Sequence, residues 1–218
     1  MNWACLRHVS WVDTRARFVA DAPCQGSLLD LGSSDGETLG HIAELRPDLR
    51  LFAADLAGQP ERYPKGCQFA RVNLERDRLP WPNDSLDVIT CMHLIEHLNN
   101  IAPLLAETVR LLRPGGRVYF ETPHPKTVSL PSPRGTAAGT FTVNFFDDLT
   151  HVRPVAIGAL AQKARAVGLQ VESSGISRNW LFAAAWPMLA FFPPSRKKFT
   201  AYVHWLGWST YLIARRPS

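Results

Sequence analysis

Leu28-Leu29-Asp30-Leu31-Gly32-Ser33-Ser34-Asp35-Gly36 is the stretch that decides the fold. Ser27 to Leu31 reads as a short apolar strand. A glycine-bearing turn follows at once, and helical character runs from Glu37 to Leu45, stopped by Pro47. A strand that turns sharply into a helix brings backbone close to a ligand, and the helix start offers it unpaired N–H groups. A purely structural corner would look the same in isolation, so the reading depends on what surrounds it.

Working outward, Leu49 to Ala54 is a second strand closed by Asp55, Cys67 to Val72 a third, and Leu86 to Thr90 a fourth. Helical periodicity returns from Ile101 to Leu112 and ends at Arg113-Pro114-Gly115-Gly116. Arg117 to Glu121 is a fifth strand. Val155 to Val167 is a helix capped by Gly168, Leu169 to Ser174 a sixth strand, and Trp208 to Ala214 the last. Short apolar strands alternating with helices predict an α/β fold, a mostly parallel sheet covered on both faces. Residues 2–20 read as an N-terminal helix, and 123–142 as a Pro/Ser/Gly/Thr-rich loop. Residues 176–206 break the alternation with an insertion carrying Trp180, Phe182, Trp186, Phe191, Phe192 and Trp205. Such a segment serves as ordinary core over a sheet edge, as a substrate lid, as a dimer interface, or as a patch resting on lipid.

Composition agrees with one well-filled core: 218 residues, 46% hydrophobic and 20% charged, unlike a disordered, collagenous or disulfide-scaffold chain. Cys5, Cys24, Cys67 and Cys91 lie far apart without a C-x-x-C pair, as expected for reduced thiols in a cytoplasmic protein. Charge is unevenly placed. All 19 acidic residues lie at or before Glu172, so the last 46 residues carry +6 and the first 172 carry −1. A basic, Trp-rich end points to anionic partners, a phosphate-bearing substrate or a membrane surface ahead of nucleic acid, or to a solvated face. Nucleic acid is not expected, because the basic residues form no stripe across the cleft. Arg7, Asp13, Arg15 and Arg17 interrupt any leader-like apolar run. The longest uncharged apolar stretch, 17 residues from Asn179 to Ser195, is broken by prolines and short of a membrane span.

Taken in order, Leu-Asp-Leu-Gly-x-x-x-Gly, Asp55, Leu79-Pro-Trp-Pro-Asn-Asp-Ser-Leu-Asp87 and Leu112-Arg-Pro-Gly-Gly116 resemble the class I S-adenosylmethionine-dependent methyltransferases over about residues 26–175. A nicotinamide dehydrogenase would share the glycine turn and distal acid but not the Leu-Arg-Pro-Gly-Gly turn into a strand. The resemblance implies one methyltransferase domain over 1–218. Its fold would be a Rossmann-like three-layer sandwich, a mostly parallel seven-stranded sheet with an antiparallel last strand. The cofactor would be S-adenosyl-L-methionine. By the same resemblance Asp30, Gly32, Ser33, Ser34 and Gly36 shape the cofactor turn. Asp55, with Leu56 beside it, binds the ribose, and Asn73 and Leu74 face the adenine. Met92 and His93 lie beside the methionine end. Two positions depart from the family pattern: Ser34 stands at the usual middle glycine and Asn73 at the usual aspartate. Serine is small enough for the turn, and an Asn carbonyl still accepts from an amine.

The acceptor side rests on His93-x-x-Glu96-His97 and Thr150-His151-Val152-Arg153-Pro154. If helical, the first places all three side chains on one face. Three roles remain open for this cluster. His97 or His151 is a general base for an acceptor hydroxyl; Glu96, His97 and His151, with or without His93, gather a divalent metal, as in some class I methyltransferases acting on RNA ends or catechol-like rings; or the histidines only pack around the cleft. No metal ligand is assigned. The second segment resembles one found in methyltransferases of bacterial glycan and secondary-metabolite assembly. That resemblance makes Arg153 a candidate anchor for a phosphate or carboxylate, unless it is a structural partner of Asp147 or Asp148. The expected activity is O-methylation of a small-molecule or saccharide acceptor. The N-terminal helix, the 123–142 loop and the 176–206 insertion would close the site. A homodimer through the insertion, peripheral membrane contact, and a catalytically silent cofactor-binding subunit are the further partnerships and rivals.

Overall fold

The computed structural model describes residues 3–131 and 143–218. Seven strands, β1 (Ser27–Leu31), β2 (Arg50–Asp55), β3 (Gln68–Arg71), β4 (Leu86–Met92), β5 (Leu112–Pro123), β6 (Gln170–Ser177) and β7 (Ser209–Arg215), form one sheet in the order β3-β2-β1-β4-β5-β7-β6. Strands β1 to β5 are parallel, with Leu29 level with Phe52 on one side and Ile89 on the other. Only β7 runs against its neighbours, pairing Phe120 with Leu212 and Ser174 with Leu212 from its two edges. The expected Rossmann-like architecture is present, antiparallel last strand included.

Every residue of β1 is buried because both faces of the sheet are covered, and Leu28, Leu29 and Leu31 supply its apolar surface while Asp30 is held by the Thr90 hydroxyl. The period of two sorts the strand residues between two cores. Leu28, Val88, Tyr119 and Ile213 pack under α1 (Thr14–Ala20), α2 (Glu37–Leu45) and the residues before them, with Phe18 and Ile42. Leu29, Leu31, Ile89, Val118, Phe120 and Leu212 pack against α3 (Ala102–Leu111) and α4 (Ile157–Ala166), with Leu105 and Leu160. All four cysteines are free.

Three expectations are corrected. The N-terminal helix of 2–20 is broken: short 3-10 turns at Trp3–Leu6 and Ser10–Val12 precede α1. The cause is Asp13, which is extended (φ −130°, ψ 126°) and accepts from the Arg15 and Ala16 amides at 3.0 Å, so the α-helix starts after it. Strand β5 starts at Leu112, ahead of the Pro-Gly-Gly turn, because Leu112 already pairs with Leu86 across a bulge. The 176–206 insertion is a helical hairpin, α5 (Trp180–Leu189) and α6 (Arg196–Leu206), entered from a lengthened β6. Of the 123–142 loop, Pro125–Ser129 forms a 3-10 turn, and 132–142 lie outside the described residues.

Candidate functional site

The glycine turn has the form its residues predict. Gly32 and Gly36 take φ of +77° and +82°, and a Cβ at Gly36 would lie 2.5 Å from the Tyr63 ring. Tyr63 explains the rest of the turn: its hydroxyl is 2.9 Å from the Ser33 Oγ and donates to the Ser34 carbonyl at 3.0 Å. Ser34 sits at φ +46°, a left-handed conformation that favours the glycine the family carries there. Its amide donates to Asp55 Oδ2 at 2.9 Å, and Ala57 donates to Oδ1 at 2.7 Å. Each Asp55 oxygen thus keeps a lone pair for a hydroxyl. Leu56 beside it is largely exposed, whereas Leu74 is buried. Asn73 Oδ1 accepts from the Glu75 amide at 3.0 Å, closing a turn at the end of β3. Behind the turn, burial pushes the Asp30 carboxyl up to about 7 and the nearby Asp55 charge adds to the rise, although the Thr90 hydroxyl, donating to it at 2.7 Å, works against it. Asp30 therefore supports the turn from within the core.

A cavity of about 780 Å³ opens next to this turn, between Glu37, Thr38 and His41 of α2, Met92 at the end of β4, Arg15 on α1, and Phe182, Arg196, Lys197 and His204 of the hairpin. The N-terminal segment and the hairpin are stitched together over it. Asp13 and Asn179 cap α1 and α5 respectively, and the Asn179 amide donates to Asp13 at 2.9 Å; the Thr14 amide donates to the Arg178 carbonyl at 2.9 Å. Both segments thus contribute to the cavity wall.

Under this cavity lies a charged chain that sequence reading did not assemble. Glu121, fully buried on β5, accepts from Arg15 Nε at 2.9 Å, from the Tyr119 hydroxyl at 2.6 Å and from His93 Nε2 at 3.1 Å, while His93 Nδ1 reaches Glu96 at 3.2 Å. Burial alone would depress the His93 pKa, but the bonds to Glu121 and Glu96 outweigh it and raise it to about 9. Burial likewise opposes ionisation of Glu121, yet Arg15 and His93 hold it well below the usual carboxylate range. His93, part-buried between the two carboxylates, is therefore a cation at neutral pH with both ring nitrogens engaged, and has no lone pair for a base or a metal. The sequence carried one signal, Glu121 at a strand end beside Thr-Pro-His; its partner Arg15 is 106 residues away.

His93-x-x-Glu96-His97 is not α-helical. His93 has φ +53°, and Ile95–His97 is a single 3-10 turn, so His97 points away from His93 and toward His151, with ring centroids 4.7 Å apart. The Val152 amide docks its segment onto the Glu96 carbonyl at 2.8 Å. The hydrogen bonds assign the tautomers. His151 Nδ1–H donates to the Phe145 carbonyl at 2.6 Å. The Thr150 hydroxyl donates to Asp148 at 2.6 Å and so accepts from His97 Nδ1–H at 2.9 Å. Both Nε2 lone pairs are left open. Glu96, His97 and His151 offer ligand atoms within 4.8 Å of one another, and the buried Glu96 Oε2 lacks a hydrogen-bond partner. Two imidazole lone pairs and a carboxylate oxygen suit a divalent cation or a proton delivered by a substrate. Arg153 is exposed and donates to the Asn99 carbonyl at 3.1 Å.

The whole assembly sits at the C-terminal ends of the parallel strands, where open α/β sheets bind ligands, with a ribose-type carboxylate, a glycine turn and an adjoining cavity: the make-up of an enzyme that uses a nucleoside cofactor. The chain matches the family model described as a methyltransferase domain over residues 5–174. It is 28% identical over 177 residues to the ubiquinone biosynthesis O-methyltransferase of Thiobacillus denitrificans, covering 78% of this chain and 73% of that one. It is 30% identical over 140 residues to the demethylmenaquinone methyltransferase of Deinococcus radiodurans, covering 61% and 53%. Its fold matches that of an S-adenosylmethionine-dependent methyltransferase of Mesorhizobium loti with a TM-score of 0.64 at 18% identity, covering 97% of this chain and 100% of that one. The chain belongs to the methyltransferase-domain family and is a class I S-adenosylmethionine-dependent methyltransferase.

Proposed function

We propose that the protein O-methylates a small acceptor bearing a ring hydroxyl, with His151 as general base. The observation that carries this reading is the His151 Nδ1–H bond to the Phe145 carbonyl, which in the neutral ring puts the hydrogen on Nδ1 and leaves Nε2, 3.8 Å from Asp148, as the proton acceptor. Phe145 stacks on the same ring at 4.3 Å and holds its orientation. The likeness to a ubiquinone biosynthesis O-methyltransferase and a demethylmenaquinone methyltransferase supports an aromatic or quinol ring over a sugar.

The residues fit the cofactor, since Gly32 and Gly36 take the positive φ that a tight strand-to-helix turn needs and each Asp55 oxygen has a lone pair to spare. Asp55 would hold the ribose, Leu56 would flank the adenine with Asn73 and Leu74 at its edge, and Met92 would border the methionine end. Bound there, S-adenosylmethionine supplies a methyl group already activated on a cationic sulfur. The protein's own work is then small: exclude water under the hairpin, hold the acceptor, and take its proton at His151 Nε2. His97 sits close enough to share that proton. Arg153, rotated toward Asn99, is a candidate anchor for an anionic acceptor group.

The test is release of S-adenosylhomocysteine over a panel of phenols, quinols, sugars and carboxylates. Turnover on a ring hydroxyl is expected, and His151→Asn should lower kcat by roughly a hundredfold to ten-thousandfold while S-adenosylhomocysteine affinity stays unchanged. Equal loss of affinity and turnover would make His151 structural. A methyl group found on carbon or nitrogen of the product would overturn the oxygen assignment.

A further inference from the structure

We infer that the α5–α6 hairpin is a docking surface for an anionic lipid bilayer. Helix α5, Trp-Leu-Phe-Ala-Ala-Ala-Trp-Pro-Met-Leu, holds no charged residue and no hydroxyl or amide side chain, yet only Ala183 of its ten residues is buried. A helix apolar all round belongs in a core or in lipid, and this one is on the surface. Its inner side meets α6 through Trp186 on Tyr202 at 4.7 Å and Phe182 on His204 at 5.9 Å. Its outer side is left over. Trp180, Ala184 and Met188 recur at helical spacing, with Trp180 58% and Met188 63% exposed; Phe191, 91% exposed in the turn after the helix, extends the patch with Leu181, Phe192 and Trp205.

Charge decides between occupants. Arg178 and Lys198 lie beside the patch, Arg196 and Lys197 stand exposed at the start of α6 on its cavity side, and no acidic residue occurs after Glu172. Arg178 lies over the Trp180 ring at 5.5 Å and donates to the His204 and Trp205 carbonyls. Lys198 donates to the Ala190 and Phe192 carbonyls at 2.7 Å, beside the apolar tip. Arg196 reaches Glu37 across an exposed pair at 3.2 Å. A second copy packed on the patch about a two-fold axis would set these four cations against four more. A surface of anionic headgroups neutralises them while the aromatic rim enters the headgroup–acyl boundary, the usual seat of Trp and Phe on an interfacial helix. Among the described residues no helix is long and apolar enough to cross a membrane, so the contact is peripheral. Phe182, Arg196, Lys197 and His204 on the same hairpin also line the cavity, so docking sets the cavity beside the lipid surface. This inference does not depend on the identity of the acceptor.

The experiment is co-sedimentation of the full chain with vesicles of phosphatidylcholine alone, and of phosphatidylcholine and phosphatidylglycerol in equal amounts. Partitioning onto the anionic vesicles should exceed that onto neutral ones by at least about tenfold, and most of the difference should vanish near 1 M NaCl, where the screening length is about 3 Å. Phe191→Asp with Phe192→Asp, at positions outside the cavity wall, should abolish binding while leaving S-adenosylhomocysteine affinity and Tm unchanged. Absence of binding to anionic vesicles, or binding that survives the double substitution, would overturn the inference. So would a lipid-free dimer in sedimentation velocity that the same double substitution disperses, since a second copy would then be the occupant.

Discussion

Glu121→Gln tests the buried charge chain most sharply. The carboxylate takes Arg15, Tyr119 and His93 at once, with no exposure of its own. The amide keeps one acceptor oxygen and turns a donor toward another donor, so Arg15 and His93 become two part-buried cations around a single buried, uncharged neighbour. Breaking a buried pair from one side costs about 3–5 kcal/mol. For a chain of this size that is a fall in Tm of roughly 6–20 °C. Denaturant unfolding at pH 6 measures it, and histidine NMR titration supplies a second readout: His93, near 9 in the native protein, should drop in the variant. The pH dependence of the native protein follows with its sign. His93 has its folded pKa raised above 6.5, so its contribution is fully present below about 6.5 and is lost as pH rises through about 9. Glu121 is depressed, so its contribution is present above its unfolded value of about 4.5 and is lost as pH falls through its lower folded value. Stability lost between pH 6.5 and 9 in the native protein should be missing from Glu121→Gln. A His93 that titrates near 6.5, or a variant within about 1 kcal/mol of the native protein, would refute the chain as described.

Other expected outcomes are more local. Ser34→Gly should raise stability by about 0.5–1 kcal/mol in urea unfolding, because Ser34 is held at φ +46° and glycine is unstrained there. Gly36→Ala should do the opposite by more than about 2 kcal/mol, since its φ is +82° and its Cβ would lie 2.5 Å from Tyr63; equal Tm values would contradict the turn geometry. Activity should survive a chelator, as His151 acts without metal. Loss on chelation, restored by Mg²⁺ or Mn²⁺, would transfer Glu96, His97 and His151 to a metal role.

What was legible in the sequence was what local pattern encodes. The leucines of Leu28 to Leu31 mark a strand buried on both faces, and Gly32 and Gly36 mark the turn because its backbone takes positive φ there. The breaks came where spacing is ambiguous or partners are remote. Three and four residues span one turn of either helix type, so His93-x-x-Glu96-His97 looked helical although it is a 3-10 turn entered by a left-handed residue. Asp13 is a helix cap in the middle of a stretch whose apolar residues continue through it. Helix α5 has no polar face, hence no amphipathic period to betray it. Arg15 and Glu121 meet only because α1 packs over β5 beside β4, a relation that no local window contains.

Isothermal titration of S-adenosylhomocysteine against the native protein and Asp55→Ala bears most directly on the central claim, that Asp55 and the 32–36 turn form the cofactor seat. The native protein should bind one equivalent, and the variant, with the scaffold still folded by circular dichroism, should lose about 2–4 kcal/mol, the scale of charged hydrogen bonds to two hydroxyls. Heat-silent native protein, or equal affinities in the two, would contradict it.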